Sequence, residues 1–122
     1  MADVPLRGYN GRHEWFWEPG DENHIFPVKN LVDMYYQSVG RNATFILGLT
    51  PDNTGLVPIA DANILRIFGE EIKKRFDHPI AETNGNGDSF LIKLTNAQDI
   101  NQVSIQEDIS KGERIRKYKV EA

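Results

Sequence analysis

Apolar residues recur at helical spacing in two stretches of this 122-residue chain. The first stripe follows the i, i+3, i+4, i+7, i+8 pattern of one helix face and comprises Val28, Leu31, Val32, Tyr35, Tyr36 and Val39. Pro27 suits the first turn of this helix and Gly40 the position just past its end. The second stripe comprises Ile64, Leu65, Phe68 and Ile72. It predicts a helix from about Asp61, which suits an N-cap, to Phe76.

Between the two stripes, residues 43–49 form an apolar run without alternation. Strands of this kind are usually covered on both faces in a parallel sheet. Such a strand needs parallel neighbours, yet residues 1–24 show no periodicity and are rich in turn-forming residues. We therefore expect no neighbouring strand before residue 43, and a fold that lacks some of its parts.

The pattern changes near residue 78. Residues 84–88, NGNGD, are a strong turn signal. Apolar residues then alternate with polar ones, which is typical of antiparallel strands buried on one face; they are Phe90, Ile92, Leu94, Val103, Ile105, Tyr118 and Val120. We predict two parts, an α/β part over residues 1–77 and the first strands of a β-sandwich over residues 78–122.

Composition narrows the function classes. The chain is 39% hydrophobic and 26% charged, as in ordinary globular domains. Its 14 basic and 18 acidic residues give a net charge of −4, which argues against nucleic acid as a partner. Without cysteine it can form neither a disulfide nor a thiolate zinc site. No apolar run is long enough to span a membrane and no signal core is evident, so the chain as written reads as cytoplasmic, although a longer parent could be periplasmic or secreted.

Residues 8–24 hold both tryptophans, two of the three histidines and four acidic side chains. Such a cluster suits a sugar site, where flat apolar faces stack and polar rims donate and accept hydrogen bonds. The alternative is a loop whose aromatic side chains pack into the adjacent core.

Several phrases resemble α-L-fucosidases of glycoside hydrolase family 29. Residues 31–72 resemble the end of the family's catalytic barrel, including SVGRN at 38–42, the Pro51-Asp52 turn and FGE at 68–70. The phrases DVPLR at 3–7 and WFWEP at 15–19 resemble the loop before the last barrel helices, and EDI at 107–109 and GER at 112–114 resemble the sandwich that follows. The resemblance implies the last helix–strand–helix units of a (β/α)8-like barrel, followed by the first strands of a β-sandwich.

The family's chemistry would then be retaining hydrolysis of terminal α-linked L-fucose, without a cofactor or metal. It needs a carboxylate nucleophile and a second carboxyl group about 5 to 5.5 Å away. The family's nucleophile is an aspartate on an earlier barrel strand, and nothing in this chain matches it. For the acid/base, the resemblance nominates Glu18 and, more weakly, Glu14; the alternative for Glu18 is a solvated loop glutamate.

For the sugar itself, the resemblance implies that Arg7 contacts fucose through its fork of donors; a surface arginine is the alternative. Trp15 or Trp17 would pack on the fucose ring or methyl group, and His13 would line the same site. His13 and His24 lack metal-ligand spacing and an evident acidic partner, so we expect no metal there.

Three hypotheses follow. The chain is a fragment of an exo-α-L-fucosidase acting on fucosylated glycans and is inactive alone, or it is a non-catalytic carbohydrate-binding module. In the third, it is a structural piece that folds only with its missing half and associates through exposed apolar surface.

Overall fold

The computed structural model describes residues 1–11 and 15–121 and divides into two compact units, Met1–Ile80 and Ala81–Ala122. The first unit alternates strand and helix: β1 (Ala2–Pro5), α1 (Val28–Ser38), β2 (Phe45–Gly48) and α2 (Ile59–Phe76). Single 3-10 turns lie at Tyr9–Gly11, Glu22–His24 and Val39–Arg41. The coarse prediction of a mixed helix and strand fold is confirmed.

β1 and β2 form a two-stranded parallel sheet, in which Ala2 pairs with Phe45 and Pro5 with Gly48. The expectation that no neighbouring strand precedes residue 43 is therefore wrong. β1 cannot be recognised from the sequence, because Asp3 and Pro5 interrupt its apolar positions. The backbone nevertheless completes the ladder, since Leu6 N–H donates to the Gly48 carbonyl at 2.8 Å.

Both predicted helices are present, but their ends differ from the predictions. α1 is followed by a 3-10 turn and stops at Asn42, which adopts the left-handed conformation at φ 60°; Gly40 lies inside that turn. α2 begins at Ile59 after Pro58, so Asp61 lies in its first turn and is not the N-cap. Among the described residues, no helix combines the length and apolar character that a bilayer crossing requires.

The core of this unit is built on Leu6, Ile25 and Leu31. Partly buried residues of β2 and α2 pack against them, together with Phe26; they are Leu47, Ala60, Ile64, Leu65 and Phe68. β2 is covered on one side only in the described residues, because Ile46 is 42% exposed. The prediction of a strand buried on both faces is not met by this chain.

The second unit contains no strand in residues 81–121, contrary to the predicted antiparallel sheet. Its regular element is a 3-10 turn at Ile109–Lys111, where the Asp108 side chain accepts from Ser110 N–H at 3.0 Å. The alternating residues Phe90, Val103 and Tyr118 are each more than half exposed. A strand needs a neighbouring strand to pair its backbone N–H and C=O groups and an apolar core to cover one of its faces. The described residues of this unit supply neither.

Candidate functional site

A buried ion pair lies at the carboxyl end of β1. Arg7 follows the strand by two residues, and its Nη2 donates to Asp61 Oδ1 at 2.7 Å while its Nε donates to Asp61 Oδ2 at 3.2 Å. Both side chains are fully shielded from solvent. The alternative of a surface arginine is therefore wrong. The pair is bidentate, which fixes the plane of the guanidinium as well as its position.

Two buried polar atoms at this end of the sheet have no hydrogen-bond partner among the described residues. They are Nη1 of Arg7 and Oγ1 of Thr50. Thr50 follows β2 by two residues, as Arg7 follows β1, and the register pairs Pro5 with Gly48. The two residues thus occupy matching positions beyond adjacent parallel strands. Buried polar atoms usually find partners, so an unpaired donor and an unpaired hydroxyl together call for an explanation.

Trp15 lies against the last residue of β2. A Cβ atom placed on Gly48 would lie 2.8 Å from Cζ3 of the Trp15 ring and 3.6 Å from the Pro5 Cα. The ring therefore lies so close over the strand end that only glycine fits beneath it, while 49% of the residue remains exposed. A half-exposed indole on a strand end can offer a flat apolar surface to a ligand.

The structure gives less information on the other residues predicted for the site. Trp17 is partly buried, while Glu18 is exposed and has an interaction of its own. Neither is brought into contact with Arg7 by any hydrogen bond or ion pair among the described residues. His13 and Glu14 lie outside the described residues.

His24 does have an acidic neighbour, contrary to the expectation from sequence. Its Nε2 lies 3.6 Å from Oδ1 of the buried Asp21, and its Nδ1 lies 3.3 Å from the Tyr9 carbonyl oxygen. This network ties the loop after β1 to the turn that precedes α1. Within the described ranges, no three histidine or acidic side chains are grouped closely enough to hold a metal ion.

The loop after β2 is held by one carboxylate. Asp52 Oδ1 accepts from the Thr54 hydroxyl at 2.6 Å, from Thr54 N–H at 2.8 Å and from Leu56 N–H at 3.2 Å. The hydrogen bond from the Thr54 hydroxyl, followed by that from its amide, lowers the pKa of Asp52 below its ordinary value. The loop that leaves the sheet at Thr50 is thus shaped by an ionised aspartate.

The sequence nominates Arg7 and Trp15 for the site, but it does not reveal that Arg7 is paired with Asp61. A signal was present, because Asp61 precedes Ile64, Leu65 and Phe68 by three, four and seven residues and so continues their apolar stripe. An acidic residue on a buried helix face requires a partner. The partner could not be identified from spacing, since Arg7 is 54 residues away.

The chain is similar to several known proteins. No protein-family model matches the chain. The chain is 36% identical over 70 residues to α-L-fucosidase 1 of Arabidopsis thaliana, a match that covers 57% of this chain and 13% of that protein. A solved Bacteroides thetaiotaomicron structure, provisionally named an α-L-fucosidase, is 67% identical with a TM-score of 0.64, over 66% of this chain and 18% of that one.

A further solved structure is a family 29 fucosidase of Ruminococcus gnavus in complex with fucose. It is 34% identical, with a TM-score of 0.57, and the match covers 67% of this chain and 15% of the other. The resemblance to α-L-fucosidases is confirmed. The chain spans between about an eighth and a fifth of the length of these three fucosidases.

Proposed function

We propose that this chain is a segment of a retaining exo-α-L-fucosidase, a glycosidase that hydrolyses terminal α-linked L-fucose from glycans. The observation that carries the proposal is the 34% identity to a fucosidase solved in complex with fucose, joined to a buried arginine at the carboxyl end of parallel strands. The alternative of a non-catalytic carbohydrate module is not favoured, because the matched proteins are α-L-fucosidases.

In this proposal, residues 1–77 are the last units of a (β/α)8-like barrel and residues 78–122 begin a β-sandwich. The order β1, α1, β2, α2 with a parallel strand pair supports the barrel, since barrels repeat that unit. The assignment of residues 78–122 to a β-sandwich is supported by the family resemblance and by the alternating apolar residues, which further strands would cover.

Barrel enzymes carry their sites at the carboxyl ends of their strands. Arg7, Trp15 and Thr50 lie at that end of the β1–β2 pair. In the proposed site the exposed part of the Trp15 ring packs on the sugar's apolar face. Arg7 is fully shielded in this chain, so its proposed donation to a fucose hydroxyl requires the residues that cover it to move aside.

The two carboxyl groups of the reaction are divided between this chain and the rest of the enzyme. The nucleophile that attacks the anomeric carbon would come from an earlier strand. Glu18, or else Glu14, would protonate the leaving oxygen and then activate the water that releases fucose. Glu18 is exposed in this chain, so its proposed role requires a glycan or other parts of the enzyme to cover it.

A segment exchange tests the proposal. The matched part of this chain would replace its counterpart in the 67% identical Bacteroides thetaiotaomicron protein, and release of chromophore from an aryl α-L-fucoside would be measured. The unaltered host establishes the reference rate. We expect the exchanged protein to keep activity within about tenfold of the host, and exchanged protein carrying Arg7→Ala to lose most of it. If the unaltered host is active and the exchanged protein folds but releases no chromophore, the proposal is contradicted.

A further inference from the structure

Three asparagines of this chain precede a glycine: Asn10, Asn84 and Asn86. An asparagine in this position can lose its side-chain amide without an enzyme. The backbone nitrogen of the glycine attacks the side-chain carbonyl carbon, the bond to the amide nitrogen breaks, and ammonia leaves with the proton of the glycine N–H. Water then adds to either carbonyl of the resulting succinimide ring and opens it to aspartate or isoaspartate. Glycine favours ring closure because it carries no Cβ atom beside the attacking nitrogen.

The conformation of Asn10 opposes this reaction, although the residue is exposed. Asn10 lies in the 3-10 turn Tyr9–Gly11, with φ 60° and ψ 30°. The carbonyl oxygen of the preceding residue, Tyr9, lies 3.3 Å from Nδ1 of His24. Ring closure must turn the Gly11 nitrogen towards the Asn10 side chain. The turn must therefore open first, and such local opening costs free energy.

Asn84 and Asn86 are exposed and lie outside helix and strand. Within the described residues, the N–H of Gly87 makes no backbone hydrogen bond. Nothing lies within 4 Å of a Cβ atom placed on Gly87, whereas one placed on Gly85 would lie 3.1 Å from Cε1 of Phe90. The Phe90 ring thus covers one side of the glycine that follows Asn84. The glycine that follows Asn86 is open, and exposed backbone of this kind moves at almost no cost in free energy.

We propose that Asn86 is a site of spontaneous deamidation, which converts faster than Asn84 and much faster than Asn10. Either product adds one negative charge to a chain of net charge −4, close to Asp88 in the sequence. Isoaspartate also moves one methylene group from the side chain into the backbone. The modification therefore changes the turn near the start of the second unit, Ala81–Ala122. It does not depend on the proposed function.

The test incubates the whole chain at mildly alkaline pH in water enriched in heavy oxygen, and follows each site by peptide mass spectrometry. Uptake of the label identifies attack by water on the succinimide. We expect Asn86 to convert about tenfold faster than Asn10, or more, because Asn10 must first leave its turn. In guanidinium chloride, where the turn is lost, the two rates should become similar. Equal rates at the two sites in the folded chain, or no conversion of Asn86 there, would overturn the proposal.

Two variants separate the chemistry from the shielding. Asn86→Gln should abolish the conversion at this position, because the longer side chain cannot close the five-membered ring. Phe90→Ala uncovers Gly85 and should raise the rate at Asn84 to that at Asn86. Leu91→Ala is the matched control, since Leu91 is 76% exposed, and it should leave both rates unchanged. An unchanged Asn84 rate in Phe90→Ala would contradict the ranking of these two sites.

Discussion

The Arg7–Asp61 pair makes a residue-scale prediction about stability. Asp61→Ala leaves the guanidinium charge buried without a counter-ion, and removing one partner of such a pair typically costs about 3 to 5 kcal/mol. Replacing both residues together, as Arg7→Met with Asp61→Leu, should cost much less because no buried charge remains. Urea unfolding followed by circular dichroism would measure both. If the single and the double variant lose the same free energy of unfolding, the buried unpaired charge is not the source of the loss.

Gly48 makes a second prediction at this scale. An alanine there would place its Cβ atom 2.8 Å from the Trp15 ring, so the ring must move towards solvent. In a Trp17→Phe background, we expect Gly48→Ala to shift Trp15 emission to longer wavelength and to cost about 1 kcal/mol or more. Gly69→Ala is the matched control, because nothing lies within 4 Å of its added Cβ atom in α2. That control should raise stability by about 0.5 to 1 kcal/mol and leave the emission unchanged.

The residues of the site could be only partly anticipated from sequence. Arg7 and Trp15 were identified from the family phrases around them, and the structure places both at the carboxyl end of the sheet. Their use in sugar binding stays a prediction. The contact between Arg7 and Asp61 depends on how α2 packs on the sheet, and local spacing carries no information about a pair so far apart along the chain.

At the scale of elements, the loop after β2 makes a prediction about pH. The folded pKa of Asp52 is lowered by its hydrogen bonds to Thr54, so the loop's stabilisation is present above the unfolded pKa and is lost as pH falls through the folded pKa. We expect the Thr54 amide resonance to move with a midpoint below that of an ordinary aspartate. In Asp52→Asn this pH-dependent change of the Thr54 resonance should be absent. If it persists in that variant, a group other than Asp52 causes it.

The elements themselves were predictable where the apolar pattern repeats over several turns. α1 and α2 were found because 11 and 18 residues leave many positions to establish the period. β1 has four residues, and two of them are Asp3 and Pro5, too few to show a pattern. The prediction of strands from Phe90 onwards was wrong for another reason. Alternation shows which side chains a strand would bury, but a strand forms only where neighbouring strands are present to pair with it.

At the scale of the whole molecule, the proposed division of the active site predicts that this chain alone is not a catalyst. No residue in it matches the family's nucleophile, and a retaining mechanism needs both carboxyl groups. We expect the purified chain to release no more chromophore from an aryl α-L-fucoside than a protein-free control. Activity that survives repeated purification and is abolished by Glu18→Gln would contradict the division of the site between this chain and the remainder of the enzyme.

The open sheet makes the last prediction, which concerns association. In the first unit, Ile46 and Leu49 are about two-fifths exposed and Ile59 is 81% exposed, and a two-stranded sheet leaves unpaired edges. An exposed edge flanked by apolar side chains favours self-association. We expect light scattering to show oligomers that grow with concentration. Ile46→Lys should reduce them by adding a charge to the exposed side of β2, whereas Ile46→Val should not. A monodisperse monomer that melts cooperatively would instead mean that the unit is self-sufficient, and that its apolar surface needs no cover.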